Sequence, residues 1–218
     1  MNSKIIIAVI SAIVISSSII AFSVIENNTQ NISESTKNSI YIPSDITKAN
    51  PNILVGSGEG SWTTTNIEDV KDQVIFTIKG TVLSVDNPID WKSGVFHEYV
   101  EEDGQRIQEE QIHGYIPITI SIEDVYKGNL TDETFTFYVQ SFKFDGQYSV
   151  FSDSPNFEIG EKVLVHLAYY DKGPFPDGHY YVKLSQFGKY QLNEDDVAFN
   201  VHQPNGIPIN IVAGKSLP

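Results

Sequence analysis

Apolar and polar residues alternate along most of the chain after residue 62, a pattern typical of β-strands. From Ile116 to Ile122, isoleucine occupies every second position and polar residues or proline lie between, which indicates one buried and one solvent-facing side. Sustained helical spacing is absent from this part of the sequence. We therefore predict an all-β domain over residues 63–218, with strands at 74–85, 116–122, 135–139, 163–167 and 179–185 and short extended pieces at 190–193 and 197–201.

Glycine marks two special positions in this pattern. Gly80 lies in the middle of the first predicted strand, where glycine commonly indicates a bulge or a sharp bend, as in a strand that curls around a small barrel. Gly160 lies in the turn before the fourth strand and is expected to take a positive φ. Together with the strand count, these positions predict a small five-stranded barrel.

The first 25 residues predict export from the cytoplasm. Residues 5–25 carry no charge, which suits either a membrane-spanning anchor or a cleaved signal peptide. With Lys4 before this segment and Glu26 after it, an uncleaved anchor would lie N-in and C-out, and the membrane itself would be a partner. Residues 26–62 are rich in Asn, Ser and Thr, so we predict a flexible polar linker between the N-terminal segment and the domain.

Charge and cysteine content exclude several classes of function. The chain has 28 acidic and 14 basic residues, and this net charge of −14 argues against a nucleic-acid partner. It has no cysteine, which excludes disulfides, thiol catalysis and cysteine-ligated metals. Because small exported eukaryotic domains usually contain disulfides, we predict an extracytoplasmic location at a prokaryotic cell envelope, either anchored or secreted.

The segment Val95–Ile112 predicts a protruding acidic β-hairpin. Asp103-Gly104 suits a two-residue turn, and a hairpin closed there pairs His97 with Glu110 and Glu98 with Glu109. Facing carboxylates beside a histidine make His97 and Glu110 weak metal-ligand candidates. A solvated acidic arm that contacts partners is the alternative interpretation.

Histidine, aromatic and asparagine residues supply the remaining candidates. His166 and His179 lie on consecutive predicted strands as further weak metal ligands, but two histidines alone are an incomplete zinc site, and we predict no cofactor. Aromatic residues near them either form a platform for a glycan or peptide or cover the end of the barrel; these are Tyr169, Tyr170, Phe175, Tyr180 and Tyr181. Glycosylation sequons occur at Asn27, Asn31 and Asn129.

Four short motifs resemble a known family. They are EDVYKG (Glu123–Gly128), TFTFYV (Thr134–Val139), FEIGEKVLVHL (Phe157–Leu167) and FGKYQL (Phe187–Leu192). Their order and spacing over residues 66–201 resemble the netrin-like domain, the OB-type barrel shared with tissue inhibitors of metalloproteinases, in the cysteine-free form of prokaryotic secreted proteins. The resemblance implies a five-stranded OB-like barrel. In those inhibitors an N-terminal cysteine chelates the target's zinc, and since this chain has no cysteine we do not expect inhibition.

Two functions of different class follow from these observations. The first is a non-catalytic module that binds a protein or glycan partner at the cell envelope, and it is the one we favour. The alternative is a metal-dependent or hydrolytic envelope enzyme that uses the acidic loops. A cleft holding three or more of seven side chains would favour the enzyme; these are His97, Glu98, Glu109, Glu110, His113, His166 and His179.

Overall fold

The structure is a computed structural model that describes residues 41–56, 71–100, 106–144, 146–171, 175–201 and 203–214, without the side chains at positions 93, 95–100, 107, 109, 111 and 144. These residues all belong to one compact unit, Ser39–Pro218. The strands are β1 (Ile53–Val55), β2 (Phe76–Val85), β3 (Ile89–Val100), β4 (Arg106–Lys127), β5 (Thr134–Phe144), β6 (Gln147–Val150), β7 (Lys162–Tyr170), β8 (His179–Val182), β9 (Lys189–Leu192), β10 (Val197–Asn200) and β11 (Gln203–Pro208). Short helices lie at α1 (Ile46–Ala49) and α2 (Ile209–Val212), and 3-10 turns at Lys71–Gln73 and Ser185–Gly188.

The described residues form one eleven-stranded sheet, so the all-β prediction is confirmed. Its main order is β1-β6-β5-β4-β2-β7-β9-β10-β11, with β3 added beside β4 and β8 paired with both β5 and β7. Almost all neighbours are antiparallel; the parallel pairs are β1 with β6 and β5 with β8.

A small five-stranded barrel is not confirmed. Pairing runs from β2 through β4, β5, β8 and β7 back to β2, but the link between β5 and β8 is a single parallel pair, Tyr138 with Tyr181. Short strands β1, β6 and β11 extend the sheet further. Their few residues show too little alternation to be recognised in the sequence, which is why the predicted strand number was too low.

The main core lies on one side of the central strands. Alternate positions of β2, β4, β5 and β7 supply fully buried side chains, among them Ile78, Ile118, Phe137 and Leu167. Burying an aliphatic side chain of this size stabilises the fold by roughly 1.5–3 kcal/mol. The intervening positions of the same strands point to the opposite side of the sheet.

Gly80 lies at a bulge, as the sequence predicts. The pairing of β2 with β4 shifts register between Lys79 and Gly80. A Cβ atom at Gly80 would lie 1.9 Å from the carbonyl oxygen of Ser121, so no other residue fits without moving the backbone. The predicted positive φ of Gly160 is also confirmed, at 84°.

The acidic hairpin is present with a different register from the predicted one. β2 and β3 both pair with β4, at its later and its earlier residues respectively, and β3 pairs with no other described strand. His97 lies opposite Glu109 and Glu98 opposite Gln108, so the predicted pairs His97–Glu110 and Glu98–Glu109 are wrong. Val100 lies opposite Arg106, one residue out of the register that a two-residue turn at Asp103-Gly104 would give. The predicted Asp103-Gly104 turn lies outside the described residues.

Part of the predicted linker belongs to the domain. Residues 41–56 form α1 and β1, and β1 pairs in parallel with β6. Ile46 and Ile53 are completely buried in the main core. The polar composition of residues 26–62 hid these two anchoring side chains, so the linker prediction needs correction over residues 41–56.

A buried ion pair connects three distant parts of the chain. Lys189 Nζ donates to Glu161 Oε1 at 2.5 Å, to Ser44 Oγ at 2.6 Å and to the carbonyl oxygen of Asn156 at 2.8 Å, which uses all three of its protons. Ser44 in turn donates to Glu161 Oε1 at 2.6 Å. Burial lowers the pKa of Lys189, and the attraction of Glu161 opposes that effect.

The predicted N-terminal anchor or signal peptide, residues 1–25, lies outside the described residues. Within the part of the chain that the structure describes, no helix combines the length and the apolar character that crossing a membrane requires. Export and anchoring therefore stay predictions.

We expect Gly80→Ala to lower the free energy of unfolding by about 2 kcal/mol, because the added methyl group overlaps the Ser121 carbonyl and forces the bulge apart. Gly56→Ala is the matched control, since its Cβ would meet the Val150 oxygen at 3.4 Å, an ordinary contact. Urea denaturation of the full-length chain in mild detergent measures both variants. Equal effects of the two substitutions would contradict the steric explanation.

We expect Lys189→Met to lower the free energy of unfolding by about 3–5 kcal/mol, because it leaves the Glu161 carboxylate buried without a counter-charge. The double variant Lys189→Met/Glu161→Gln should recover a large part of this loss, since no uncompensated charge remains. The same denaturation experiment measures both.

Lys48→Met is the control for the ion pair. Lys48 also contacts a carboxylate, that of Glu158 at 3.2 Å, but its side chain is 64% exposed. An exposed pair contributes about 0–1 kcal/mol.

A double variant Lys189→Met/Glu161→Gln as unstable as Lys189→Met alone would show that lost packing, and not the unpaired charge, causes the destabilisation.

Candidate functional site

A pocket of about 340 Å³ on the sheet is lined almost entirely by aromatic side chains. We call it the aromatic pocket; its lining residues are Trp91, Tyr115, Tyr138, Gln140, Tyr170, His179 and Tyr181. They come from β3, β4, β5, β7 and β8. Five strands thus meet at one concave surface, and none of its lining side chains carries a fixed charge.

Strand alternation places these side chains opposite the main core. Tyr115 precedes the buried Ile116, and Tyr138 lies between the buried Phe137 and Val139, so both tyrosines point to the other side of the sheet. Register then brings them together: Tyr115 pairs with Gln140, Tyr138 with Tyr181, and Tyr170 with His179.

His179 and Tyr115 are the two most enclosed polar groups of the pocket. The ring of His179 lies 5.0 Å from that of Tyr115, 5.7 Å from Tyr170 and 5.8 Å from Tyr138, measured between centroids, and the residue is only 6% exposed. Its Nδ1 is buried without a hydrogen-bond partner. Burial lowers the pKa of His179, so the imidazole is neutral at physiological pH.

Further neutral polar groups surround this histidine. Burial, with a smaller contribution from Tyr170, raises the pKa of Tyr115, which keeps its hydroxyl protonated and able to donate or accept. The amide of Gln140 is exposed and lies 2.7 Å from Nδ1 of His113. Trp91 packs edge-on against Tyr115, with ring centroids 6.1 Å apart. The site therefore offers apolar faces and neutral hydrogen-bonding groups side by side.

The predicted aromatic platform is divided between the two sides of the sheet. Tyr170 and Tyr181 line the pocket, and Phe175 lies 4.4 Å from the ring of Tyr138 at its edge. Tyr180 packs instead against Phe76 and Phe135 of the main core, and Tyr169 contacts Tyr180. Tyr169 and Tyr180 therefore lie on the core side of the sheet, because neighbouring residues of a strand point to opposite sides.

His166 lies in a separate cavity of about 250 Å³, which shares no lining residue with the aromatic pocket. Its Nδ1 is within hydrogen-bond distance of Thr77 Oγ1, at 3.0 Å, and its Nε2 is buried without a partner. The structure therefore does not bring His166 and His179 together. Burial, and to a smaller extent the charge of Lys127, lowers the pKa of His166 to about 4.

The other metal-ligand candidates are Glu110 and His97. Glu110 accepts from the backbone of Gly94 at 3.2 Å and lies 3.6 Å from Lys92 Nζ, while His97 has no described side chain. Among the side chains that the structure describes, no group of three histidine or acidic residues is placed to hold a metal ion. Metal binding at His97 stays a prediction.

The sequons fall in two regions. Asn129 is exposed in the turn after β4, a position accessible to modification. Asn27 and Asn31 lie outside the described residues.

Sequence reasoning missed four residues of the pocket: Trp91, Tyr115, Tyr138 and Gln140. A signal for two of them was present, because Tyr115 and Tyr138 are large aromatic residues at positions where the alternation calls for solvent-facing polar side chains. Aromatic residues on the wet side of several strands indicate a second, partly exposed apolar surface. Which strands would bring them together was not visible in the pattern.

A comparison of the chain with protein-family models, curated proteins and solved structures finds no match. The resemblance to netrin-like domains is therefore neither supported nor contradicted by known relatives, and the site has to be interpreted from its own geometry.

We expect the stability contribution of His166 to disappear in acid. The unfolded chain binds a proton at this residue near pH 6.5 and the folded chain only near pH 4, so the contribution is complete above 6.5 and is lost as the pH falls towards 4. The difference amounts to about 3 kcal/mol. In urea denaturation of the full-length chain, the loss caused by His166→Asn should shrink by this amount between pH 7 and pH 4.

His113→Asn is the control for this measurement, because His113 is a half-buried histidine that lies against Trp91 and Phe142 outside the His166 cavity. An effect of His166→Asn that stays constant over the whole pH range would show that His166 does not bind its proton differently in the two states.

Proposed function

We propose that the chain is an exported, non-catalytic module that binds a neutral carbohydrate in the aromatic pocket. The observation that carries this proposal is the combination, in one pocket, of open aromatic faces with uncharged hydrogen-bonding groups. A sugar ring has the same mixed character, with apolar C–H faces and hydroxyl groups around its edge. Its C–H groups are slightly positive and suit the negative face of an aromatic ring.

The exposure of the aromatic residues fits such a ligand. Tyr170 is 45% exposed, and Trp91 and Tyr181 are half-buried, so ring surface remains available to a bound molecule. Gln140 and the tyrosine hydroxyls lie beside these rings as donors and acceptors. A pocket with a few convergent polar groups is the usual form of a small-molecule site.

The unpaired Nδ1 of His179 favours a hydroxyl-bearing ligand over a proline-rich peptide. A hydroxyl group both donates and accepts, so it satisfies this nitrogen in either imidazole tautomer. A proline-rich segment offers mainly carbonyl acceptors, because proline has no N–H, and it satisfies Nδ1 in one tautomer only. Leaving the nitrogen unpaired costs free energy, so a ligand that pairs it gains affinity.

The cell envelope is the location that we propose for this activity. The uncharged segment at residues 5–25 supports export, with the module anchored or secreted on the extracytoplasmic side, where glycans are abundant. The negative net charge of the chain also favours a neutral ligand over a polyanion, because a chain with 28 acidic and 14 basic residues repels polyanions.

For the architecture, we propose that the strand circuit of β2, β4, β5, β8 and β7 is an OB-type core to which the remaining strands are added. Its support is the pairing that returns to β2, together with the Gly80 bulge in the first strand of the circuit. OB-type cores are partly open and commonly bind oligosaccharides or oligonucleotides. The acidic composition of the chain favours oligosaccharides, because it repels the phosphates of oligonucleotides.

We expect Trp91→Ala to weaken carbohydrate binding by about tenfold, the effect of losing one aromatic stacking surface. The probes are the tetrasaccharides of the cello-, xylo-, malto- and N-acetylchito- series, titrated by calorimetry into the full-length chain in mild detergent. His179→Phe keeps the aromatic ring but removes Nδ1, and it should weaken binding to a similar degree.

Ile159→Ala is the control, since Ile159 is 59% exposed and lies outside the pocket. Its affinity should equal that of the wild type. A wild-type chain that binds none of the four series would overturn the proposal, and binding of a proline-rich peptide in their place would assign the pocket to a protein partner.

A further inference from the structure

A second cavity adjoins the aromatic pocket. It measures about 410 Å³ and shares Tyr138, Gln140 and Tyr181 with the pocket as common walls. Because three residues line both spaces, the two cavities form one groove along β5 and β8. We call the second cavity the distal lobe.

The distal lobe has an aromatic surface of its own. Phe142 of β5 and Phe151 pack together with ring centroids 4.4 Å apart, and both line the lobe. Phe151 is 37% exposed, an unusual exposure for a phenylalanine that packs against another ring. The groove therefore presents aromatic faces at both ends, with Tyr138 and Tyr181 between them.

Polar groups line the same lobe. Lys183 is half-buried there, with its ammonium group 5.9 Å from the ring centroid of Tyr181, and Asp153 and Ser154 lie on the neighbouring loop. Each of these side chains bears groups that bond hydroxyls. The lobe thus repeats the mixture of aromatic and polar groups found in the aromatic pocket.

The backbone of the distal lobe is held in an uncommon conformation. Leu184 and Ser185 are consecutive non-glycine residues with positive φ, at 62° and 51°, and both line the lobe. Ser185 Oγ donates to the carbonyl oxygen of Asp153 at 2.6 Å, which ties the two walls together. Strained backbone of this kind concentrates at ligand-binding sites, where it presents groups in a fixed arrangement.

We infer that the groove binds a linear, neutral oligosaccharide that spans both lobes, with one end in the aromatic pocket and the following sugars on the Phe142–Phe151 surface. This inference rests on the proposed function of the aromatic pocket. It adds that recognition depends on chain length, because aromatic faces recur along the groove in the way that sugar rings recur along a glycan. A compact ligand confined to one lobe is the competing outcome.

The test is the affinity of the full-length chain for oligosaccharides from mono- to hexasaccharide, in whichever of the cello-, xylo-, malto- and N-acetylchito- series binds. Affinity should rise by about tenfold once the ligand is long enough to reach the distal lobe and should then level off. Calorimetry measures the affinity, and the part of the tryptophan fluorescence change that Trp91→Ala removes reports contact at Trp91, because the chain has a second tryptophan, Trp62.

Phe151→Ala separates the two lobes. It should abolish the gain in affinity with chain length while leaving the affinity for the shortest binding ligand unchanged, because that ligand does not reach the distal lobe. Trp91→Ala should weaken ligands of every length. Leu54→Ala is the matched control, since Leu54 is a similarly exposed apolar residue, 48%, outside both cavities.

The possible results distinguish the two proposals. Affinity independent of chain length, or a length effect that survives Phe151→Ala, would overturn the two-lobed groove and leave the pocket's carbohydrate binding intact. Loss of binding to every length in the Phe151→Ala variant, with folding unchanged by circular dichroism, would show one undivided site and likewise overturn the inference. No binding of any carbohydrate by the wild type would overturn both proposals.

Discussion

The buried ion pair between Lys189 and Glu161 is the interaction on which the arrangement of the chain depends most. Both groups are almost completely enclosed, so each needs the other, and the remaining protons of Lys189 need the oxygens of Ser44 and Asn156. These groups come from a segment before the sheet, from a loop, from the turn before β7 and from the start of β9. A pair that is satisfied in only one geometry fixes the relative positions of all four.

This constraint reaches the proposed binding groove through both of its walls. The bond from Lys189 to the Asn156 carbonyl holds the end of the loop that contains Asp153 and Ser154. On the other side, Lys189 follows directly on the short turn Ser185–Gly188, so its position limits how that turn and the left-handed residues Leu184 and Ser185 at its start can move. A charged group in the interior thus holds the loop and the turn that line the distal lobe, because Lys189 bonds to the first and follows directly on the second.

The aromatic pocket itself is a consequence of strand geometry. Each central strand sends one set of side chains into the main core and leaves the other set on the opposite side of the sheet. In most antiparallel sheets that second side is polar, but here Tyr115, Tyr138 and Tyr181 occupy it and enclose His179. Since the rings cover one another only partly, the surface retains apolar area together with hydroxyl, amide and imidazole groups. A ligand with alternating apolar and hydroxyl surfaces matches that composition better than an ion or a purely apolar molecule.

Alternation in the sequence determined the all-β class and the positions of the central strands, because these features depend on neighbours along the chain. The glycine in the middle of the first predicted strand indicated the bulge at Gly80. Alternation did not determine how many strands join the sheet, since β1 and β11 are too short to show a period. The hairpin register was predicted one residue out, because it was inferred from a turn pattern alone and strand pairing depends on the partner strand as well. The aromatic pocket depends on contacts between residues that are even farther apart in the sequence. Only the tertiary structure could place Tyr138 beside Tyr181, since a parallel pair between strands far apart in the chain leaves no local pattern in either strand.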